Sequence, residues 1–376
     1  MDSFDVLDLV LFLGISQGLF LAITIQLVHN RNAAANRVLS IILLIAAFML
    51  LGRVIYFNLS NALLLRIANF ADIVIYIFGP LVYVYVRRLT FKEAPAFRLP
   101  WYPYAPALFP AIFFSWMLFY TPEEFGLLVK NGTVNLNVIY KTMVGTALFS
   151  NFYYCFRSYQ VVRLYQKEEK NNLSYVQQVT SFLYVFLLAI GVFLFIWLLS
   201  YINSYFDIFN LSFISYDMIW VSIPIFVYVV GFYSLKQPEI FRVSLKKVTN
   251  KKVHKGRLEG TVLEKLKEEL EHLMVQEKIY LDNNLTLRDL SEKLETSPNN
   301  VSWLLNNIHN CSFYDYVNQY RVKTFIEKVQ KGEHQRHTLL ALSLDSGFNS
   351  KSTFNKAFKT EMNDTPTNYI KKLSPS

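Results

Sequence analysis

Long apolar stretches dominate the first two thirds of the chain and predict membrane-spanning helices. A bilayer core about 30 Å thick requires about 20 apolar residues in each helix. Residues 41–45 and 182–199 are apolar on every side of a helix, whereas a soluble helix carries a polar face. Stretches of the required length lie at residues 6–28, 38–58, 67–86, 102–120, 138–159, 179–203 and 212–235. The pattern therefore predicts a bundle of seven transmembrane helices.

Shorter amphipathic helices replace these stretches in the last third of the chain. Residues 286–294 form one such helix, residues 295–297 make a turn, and Pro298 opens a second helix where its missing N–H is harmless. The small residue Ser291 stands where two such helices cross. A helix, a short turn and a second helix constitute a helix-turn-helix unit. The first unit is therefore predicted at about residues 286–308.

The same pattern returns closer to the C-terminal end. Residues 338–343 predict a helix in which Ser343 takes the place of Ser291. The following turn, at residues 347–350, is one residue longer than the first turn. A second unit is therefore predicted at about residues 338–362.

Each predicted unit is followed by an asparagine, Asn310 or Asn363, where the chain leaves its second helix. Such a position favours a left-handed backbone, which glycine usually supplies and asparagine tolerates. A helix at about residues 313–331, roughly 28 Å long at 1.5 Å per residue, connects the two units. The predicted fold class is therefore all-α throughout.

The composition changes at the same place as the hydrophobic pattern. Of the 376 residues 53% are hydrophobic and 17% are charged, below the roughly 25% charged residues of soluble domains. Residues 1–235 hold 14 Lys and Arg and 11 Asp and Glu, whereas residues 236–376 hold 23 and 17. We therefore predict a transmembrane domain at 1–235, a basic juxtamembrane linker at 236–257 and a soluble basic domain at 258–376.

Basic residues in the short loops predict the orientation of the bundle, because they accumulate on the cytoplasmic side. One side carries Arg31, Arg37, Arg87, Arg88, Lys92, Arg98, Arg163, Lys167 and Lys170. The other side carries Arg66 and Lys130. The N-terminus is therefore predicted outside, and the soluble domain in the cytoplasm.

Ionisable residues lie near the outer ends of the predicted spans. They are Asp8, Arg53, Asp72, Lys141 and Asp217. Arg53 and Asp72 share a depth of about 7–8 Å at 1.5 Å per residue, which places them to pair. Charges inside a membrane indicate function by default, so a polar ligand pocket open to the outside is one interpretation. Structural ion pairs and side chains that reach the membrane interface explain the same charges.

The chemistry of the remaining residues gives no sign of catalysis. Cys155 and Cys311 lie far apart and suggest no disulfide framework, and the six histidines form no zinc pattern with them. Paired catalytic carboxylates, nucleophile and zinc-protease motifs, phosphate loops and cofactor boxes are all missing from the sequence. We therefore expect no metal, no cofactor and no enzymatic activity.

Residues 284–371 resemble the C-terminal DNA-binding domain of AraC/XylS-type transcription regulators. The similarity is most specific at residues 345–359, which read DSGFNSKSTFNKAFK and are followed by Thr365 and Pro366. Asparagines stand for the usual glycines at the two exits, and serines for the usual alanines at the two helix crossings. The full layout resembles membrane-bound seven-span members of Bacteroidetes-type bacteria. Other members carry a soluble sugar-binding barrel, so their ligand class does not transfer.

The resemblance implies two recognition helices that enter successive major grooves about 34 Å apart. The outward residues of the first helix are Asn299, Asn300, Ser302, Trp303 and Asn306. Those of the second are Lys351, Ser352, Thr353, Asn355, Lys356 and Lys359. Asparagine suits an adenine edge, and lysine suits guanine or phosphate. Arg321, Lys323 and Arg336 are further predicted phosphate contacts, and Trp303 either stacks on DNA or packs against the linking helix.

The leading hypothesis is a one-component transcription regulator in the bacterial inner membrane. Its seven-helix bundle senses a signal, a small molecule or a protein, and its cytoplasmic domain binds double-stranded promoter DNA, with a homodimer as one option. A second hypothesis makes the spans an anchor for a partner that senses the signal. A third makes the protein a transporter or membrane enzyme with an accessory DNA-binding tail.

Overall fold

The computed structural model describes residues 6–27, 33–58, 69–91, 97–175, 178–206, 217–236 and 260–373. Within these ranges the chain is built from helices, and an isolated antiparallel bridge pairs Leu173 with Thr286. The predicted all-α class is therefore confirmed for the described residues. The chain divides into two compact units, Met1–Arg163 with Gln178–Lys246 and Leu164–Gln177 with Lys247–Ser376.

Within the described residues, the apolar part of the chain forms eight α-helices. They are α1 Val6–Leu27, α2 Ala33–Asn58, α3 Ile75–Thr90, α4 Leu108–Met117, α5 Pro122–Lys130, α6 Leu136–Asn172, α7 Gln178–Phe206 and α8 Asp217–Lys236. Short 3-10 segments, Asn69–Val74 and Tyr102–Ala107, precede α3 and α4. The last residues of α6, 164–172, belong to the second unit.

Several of these helices are long and apolar enough to cross a membrane. The four described candidates are Val6–Leu27, Ala33–Ile55, Asp72–Thr90 and Val179–Tyr205. A fifth candidate is the pair Tyr102–Met117 and Pro122–Lys130, which bends by 113°. These helices are compatible with a membrane anchor, but the predicted number of seven spans is not confirmed.

The stretch predicted as a fourth span, residues 102–120, is not one straight helix. The chain turns after α4 because Thr121 caps a new helix. The Thr121 hydroxyl accepts a hydrogen bond from the Glu124 backbone N–H at 3.2 Å, and the Glu124 carboxylate accepts from the Thr121 N–H at 2.8 Å. Pro122 at the first position of α5 favours the same helix start.

Helix α6 is longer than the predicted span at residues 138–159. It continues through Arg163, Lys167 and Lys170, which the sequence pattern places in a loop. Gln, Lys and Glu are good helix formers, and neither glycine nor proline interrupts residues 146–172. In α8 the apolar part, Met218–Tyr233, is shorter than a spanning helix.

Small residues allow the helices of the first unit to approach closely, a kind of packing that is common in helical membrane bundles. A Cβ atom on Gly14 of α1 would lie 2.7 Å from Pro224 Cγ in α8. A Cβ atom on Gly79 of α3 would lie 2.9 Å from the Asn151 side-chain oxygen in α6. The Asn151 amide also donates to the Ile75 carbonyl at 2.9 Å, which ties α6 to the start of α3.

The second unit contains the remaining helices. They are α9 Thr261–Val275, α10 Leu287–Lys293, α11 Pro298–Asn307, α12 Phe313–Gln330, α13 Leu339–Asp345, α14 Lys351–Met362 and α15 Pro366–Leu373. The linker predicted at 236–257 lies outside the described residues except for Lys236, so the domain boundary at 258 stays a prediction.

Two hydrophobic cores form around the two ends of α12. Leucines of α9, α10 and α11 build the first core together with Phe313, Tyr316 and Val317 of α12. Phenylalanines of the second repeat build the second core together with Val322 and Phe325 of α12. Helix α12 therefore connects two small cores and holds the helices around them in one unit.

Candidate nucleic-acid interface

The first helix-turn-helix unit, α10 and α11, is formed by local capping. Thr286 caps α10, since its hydroxyl accepts from the Asp289 N–H at 3.2 Å and the Asp289 carboxylate accepts from the Thr286 N–H at 2.9 Å. Ser297 caps α11 by accepting from the Asn300 N–H at 3.2 Å, and Pro298 is the first residue of that helix. Each cap typically contributes about 1 kcal/mol to helix stability.

The second unit, α13 and α14, repeats this plan. Thr338 caps α13 by accepting from the Ala341 N–H at 3.1 Å, and Ser350 caps α14 by accepting from the Thr353 N–H at 3.2 Å. Ser343, like Ser291, is buried at the helix crossing. Both hydroxyls donate to a backbone carbonyl three residues earlier, so their burial leaves no donor unsatisfied.

The left-handed positions also correspond between the units. Asn310 and Asn363 have φ of 52° and 53°, which confirms the predicted left-handed exits. Inside the turns, Glu295 has φ of 48° and Gly347 has φ of 92°. Of these two turn positions, only position 347 requires glycine for steric reasons, because a Cβ atom there would lie 2.5 Å from the Tyr280 carbonyl oxygen.

The inward faces of α11 and α14 pack as the sequence predicts. Counted from the capping serines, Val301, Leu304 and Leu305 correspond to Phe354, Ala357 and Phe358, and all six are buried. The same three- and four-residue spacing in the sequence predicts that Ile308 is buried, but its side chain is 39% exposed. The expectation fails because the helix ends at Asn307, so Ile308 leaves the periodicity of the buried face.

The outward face of α11 carries amides and no basic side chain. Asn306 is exposed, whereas Asn299, Asn300 and Ser302 are half-buried. The Asn300 amide donates to the Thr296 hydroxyl at 2.9 Å, and the Asn306 amide donates to the Ser302 carbonyl at 2.7 Å.

Trp303 lies on the side of α11 that meets the first hydrophobic core. Its side chain is half-buried and packs against that core. Of the two roles that the sequence left open for this residue, packing is the one its position favours.

The outward face of α14 is basic. Its exposed residues are Lys351, Ser352, Asn355, Lys356 and Lys359. The expectation that Thr353 also faces outward is wrong, since this residue is fully buried. It lies on the side of α14 that meets α12, where its carbonyl accepts from the Tyr314 hydroxyl at 3.5 Å.

Arg321, a predicted phosphate contact, is fully buried in α12. Its guanidinium donates to the carbonyls of Tyr280 at 2.7 Å, Asp282 at 2.6 Å and Ser174 at 3.0 Å. Burial lowers the pKa of Arg321 to about 10, so the group remains a cation at neutral pH. The other predicted phosphate contacts, Lys323 and Arg336, are exposed.

One residue of the predicted pocket lies at a described cavity of the first unit. Asp72 lines a cavity of about 240 Å³ whose other walls are mainly aromatic and aliphatic, including Tyr140, Trp197 and Trp220. The predicted ion pair between Arg53 and Asp72 is not found between the described side chains, and the Arg53 guanidinium lies 5.9 Å from the centre of the Trp220 ring.

Two other residues of the predicted pocket have described side chains that lie elsewhere. Asp8 and Lys141 are absent from the described walls of this cavity. The Lys141 carbonyl instead accepts from the Tyr201 hydroxyl at 3.1 Å. The side chain of Asp217 lies outside the described residues. Among the described residues no group of three His, Cys, Asp or Glu side chains is placed to hold a metal ion.

One part of the second unit has no signal in the sequence pattern. Residues 164–175, the end of α6 and the three residues after it, contact both the loop before α10 and helix α12. Their partners lie more than one hundred residues away, for example 111 residues for the bond between Ser174 and Leu285. Hydrophobic periodicity is a local property and does not indicate such pairings.

Comparison with known proteins supports the interpretation of the second unit. Residues 290–372 match a family model described as a helix-turn-helix domain. Neither the comparison with curated proteins nor that with solved structures gives a match for this chain. The match includes α11 to α14 and the two left-handed asparagine exits, and it supports the resemblance to the AraC type. Residues 290–372 therefore form an AraC-type helix-turn-helix domain, which indicates DNA-binding transcription regulation.

Proposed function

We propose that this protein is a membrane-embedded, sequence-specific transcription regulator and not an enzyme. The observation that supports the proposal best is the duplicated unit, in which two capped recognition helices present amides on α11 and lysines on α14. Amides suit the reading of base edges, and lysines suit phosphate or guanine. The apolar helices that precede this unit suit a lipid bilayer as a permanent partner.

We further propose seven spans, with the apolar first part of α6 and the helix α8 added to the five candidates. An odd number of spans and the loop arginines and lysines then put the N-terminus outside and the DNA-binding unit in the cytoplasm. A reporter enzyme that is active only outside the cytoplasm should be active when it is fused after Phe125 and inactive when it is fused after Ser376. Activity after Ser376 would contradict the proposal, because DNA lies in the cytoplasm.

The cavity at Asp72 is the proposed site of the signal. Its aromatic and aliphatic walls suit an amphipathic compound, and the Asp72 carboxylate suits a cationic or hydrogen-bonding group of that compound. Asp72→Asn should weaken the transcriptional response, whereas Asp8→Asn, outside the described cavity walls, serves as the control. An equal loss of response in both variants would favour a general effect of charge on membrane insertion.

The direct test of DNA binding is genome-wide mapping of the sites that the full-length protein occupies in its own cells. We expect a limited set of promoters that share a motif with two half-sites about one helical turn apart. Uniform coverage of the genome, or none, would contradict sequence-specific regulation. A chimera in which an unrelated membrane anchor replaces the first unit separates sensing from anchoring. If that chimera still responds to the signal, the spans serve only as an anchor for a partner.

A further inference from the structure

The DNA-binding unit contains a piece of chain that comes from between two membrane helices. Residues 164–175, which we name the clasp, comprise the end of α6, the bridge residue Leu173 and the bend at Ser174 and Tyr175. The clasp is part of the second compact unit, although the rest of α6 is part of the first. The clasp therefore connects a proposed membrane helix directly to the proposed DNA-binding unit.

Ser174 is the fully buried anchor of the clasp. Its hydroxyl donates to the Leu285 carbonyl at 2.7 Å, directly before α10. Its carbonyl accepts from the Asn318 amide at 2.9 Å and from Arg321 Nη1 at 3.0 Å. Next to it, Leu173 pairs with Thr286 in an antiparallel bridge. Both the backbone and the side chain of Ser174 are thus engaged by the second unit.

The same serine covers one edge of the Arg321 guanidinium. Nη1 donates to the Ser174 carbonyl at 3.0 Å, and Nη2 donates to the Ser174 hydroxyl at 3.1 Å. Bonds to Tyr280, Asp282 and Asn318 hold the rest of the group in place. Withdrawal of Ser174 would leave a fixed guanidinium edge with two N–H donors. Such a pair matches two oxygens of a phosphate.

The clasp also reaches the basic face of α14. Lys170 Nζ and Lys356 Nζ lie 5.9 Å and 6.0 Å from the centre of the same Tyr314 ring. Glu169 is 3% exposed and acts electrostatically on Lys356. Burial, and then Lys170, lower the pKa of Lys356, and Glu169 and Asp315 oppose this effect. One of the exposed lysines of α14 thus shares the Tyr314 ring with a lysine of the clasp.

From these contacts we infer that the clasp is an autoinhibitory element that competes with DNA for the second unit. The two oxygens of Ser174 occupy Arg321 in place of phosphate oxygens, and the buried carboxylate of Glu169 acts electrostatically on Lys356. DNA binding then requires the clasp to leave. The inference rests on the proposed function and names the regulation of the same DNA-binding site.

The attachment of the clasp explains how a signal would act. The clasp continues α6 without interruption, since this helix runs from Leu136 to Asn172. A shift or rotation of α6 that withdraws Ser174 from Arg321 favours the open state. A ligand produces such a shift only to the extent that it binds the open state more tightly than the closed one.

A reversible disulfide tests the competition in the full-length protein. The bridge partners Leu173 and Thr286 are replaced by cysteine, in a background in which Cys155 and Cys311 are replaced by alanine. Partners in an antiparallel bridge lie about 4.5–5.5 Å apart at Cα, within the range of a disulfide. The protein is placed in lipid nanodiscs, and its binding to a labelled duplex of random sequence is measured at low salt.

Oxidation locks the clasp in place and reduction releases it, so one molecule provides both states. We expect the reduced protein to bind the duplex at least about tenfold more tightly, which corresponds to about 1.4 kcal/mol. The two single-cysteine variants, treated in the same way, control for oxidation itself. Equal binding in both states, or tighter binding in the oxidised state, would overturn the inference.

A matched pair of substitutions tests the same point without cysteines. Glu169→Gln removes the buried carboxylate that acts electrostatically on Lys356 and should tighten DNA binding several-fold. Glu168→Gln makes the same chemical change at the neighbouring, half-buried position and should have a smaller effect. Equal effects of the two variants would indicate general charge repulsion and would contradict the clasp.

The failure of the inference and that of the proposed function are distinguishable. If parent and variants all bind the duplex with one affinity, DNA binding stands and the clasp is overturned. If no form binds the random duplex or any promoter fragment, even after reduction, the proposed function itself is overturned and the clasp with it.

Discussion

The two helix-turn-helix repeats share a backbone plan and differ in almost every side chain that faces outward. Both use a capped first helix, a buried serine at the crossing, a left-handed turn residue and an asparagine exit. Counted from the capping serine, Ser302 of the first repeat corresponds to Asn355 of the second, and Asn306 corresponds to Lys359. A few positions therefore determine the backbone, and the remaining positions are free to diverge in function.

The interiors differ as well. The first core is mainly leucine, whereas rings dominate the second, where Phe354 lies 4.6 Å from Phe325 and 5.2 Å from Phe348 between ring centres. Val301 occupies the position of Phe354, and Leu304 the position of Ala357, so large and small residues are exchanged between neighbouring positions. The same helix arrangement is thus filled in two ways, which is expected when total volume matters more than identity.

The largest difference is expected when the central ring of the second core is removed. Phe354→Ala should destabilise that repeat by about 3–5 kcal/mol, and Val301→Ala should cost less because fewer atoms are removed. Hydrogen exchange of the full-length protein measures local opening in each repeat separately. Phe354→Leu serves as the control that keeps most of the volume. Equal loss of protection in both repeats would mean that the two cores open as one.

The second-largest difference in stability is expected for substitutions in the two turns. Gly347→Ala places a Cβ atom against the Tyr280 carbonyl at a φ of 92° and should cost about 3 kcal/mol, from backbone strain and overpacking together. Glu295→Gly should stabilise the first repeat by about 1 kcal/mol, since glycine adopts the left-handed region without the usual penalty. The opening free energies of the α10 and α13 amides measure both effects. A tolerated Gly347→Ala would show that Tyr280 moves away easily.

A smaller difference between the two repeats is expected in their contribution to DNA binding. Lys359→Ala should weaken binding to all sequences alike and reduce the salt slope by about 0.9, as the loss of one phosphate contact does. Asn306→Ala, at the corresponding position, should relax sequence preference by about 1–3 kcal/mol. Binding of the full-length protein to a mapped promoter and to random DNA, over a range of salt, separates the two outcomes. If Lys359→Ala instead relaxed the sequence preference and Asn306→Ala weakened binding to all sequences, the roles of the two helices would be exchanged.

The smallest expected contrast is in pH dependence. His309 of the first repeat corresponds to Met362 of the second. Burial, and then Lys267, lower the pKa of His309 below its ordinary value of 6.5. The unfolded chain then binds more protons than the folded one between the two pKa values, so stability falls as the pH drops through about 6.5.

Thermal unfolding of the full-length protein at about pH 7.5 and about pH 5.5 tests this expectation. His309→Gln should lose the part of the pH dependence that this residue contributes. If the variant and the parent lose the same amount of stability on acidification, other groups are responsible for the pH dependence.

The helix boundaries of the two repeats were predictable because residues close in sequence determine them. Capping residues, the proline at the start of α11 and the asparagine exits each act within one turn of their own position. The positions of Thr353 and Arg321 were not predictable in this way. Both residues have the polarity of surface positions, and only tertiary packing buries them.

The sequence by itself determined that the chain has an apolar helical part and a duplicated helix-turn-helix part, because hydrophobic periodicity and backbone preferences operate over a few residues. Only the tertiary structure decided that α6 extends into the second unit, that Ser174 covers Arg321 and that Asp72 lines a cavity. The physical reason is the separation of the partners along the chain. Ser174 and Arg321 lie 147 residues apart along the chain. A hydrogen bond between residues so far apart in sequence leaves no pattern in the sequence near either residue.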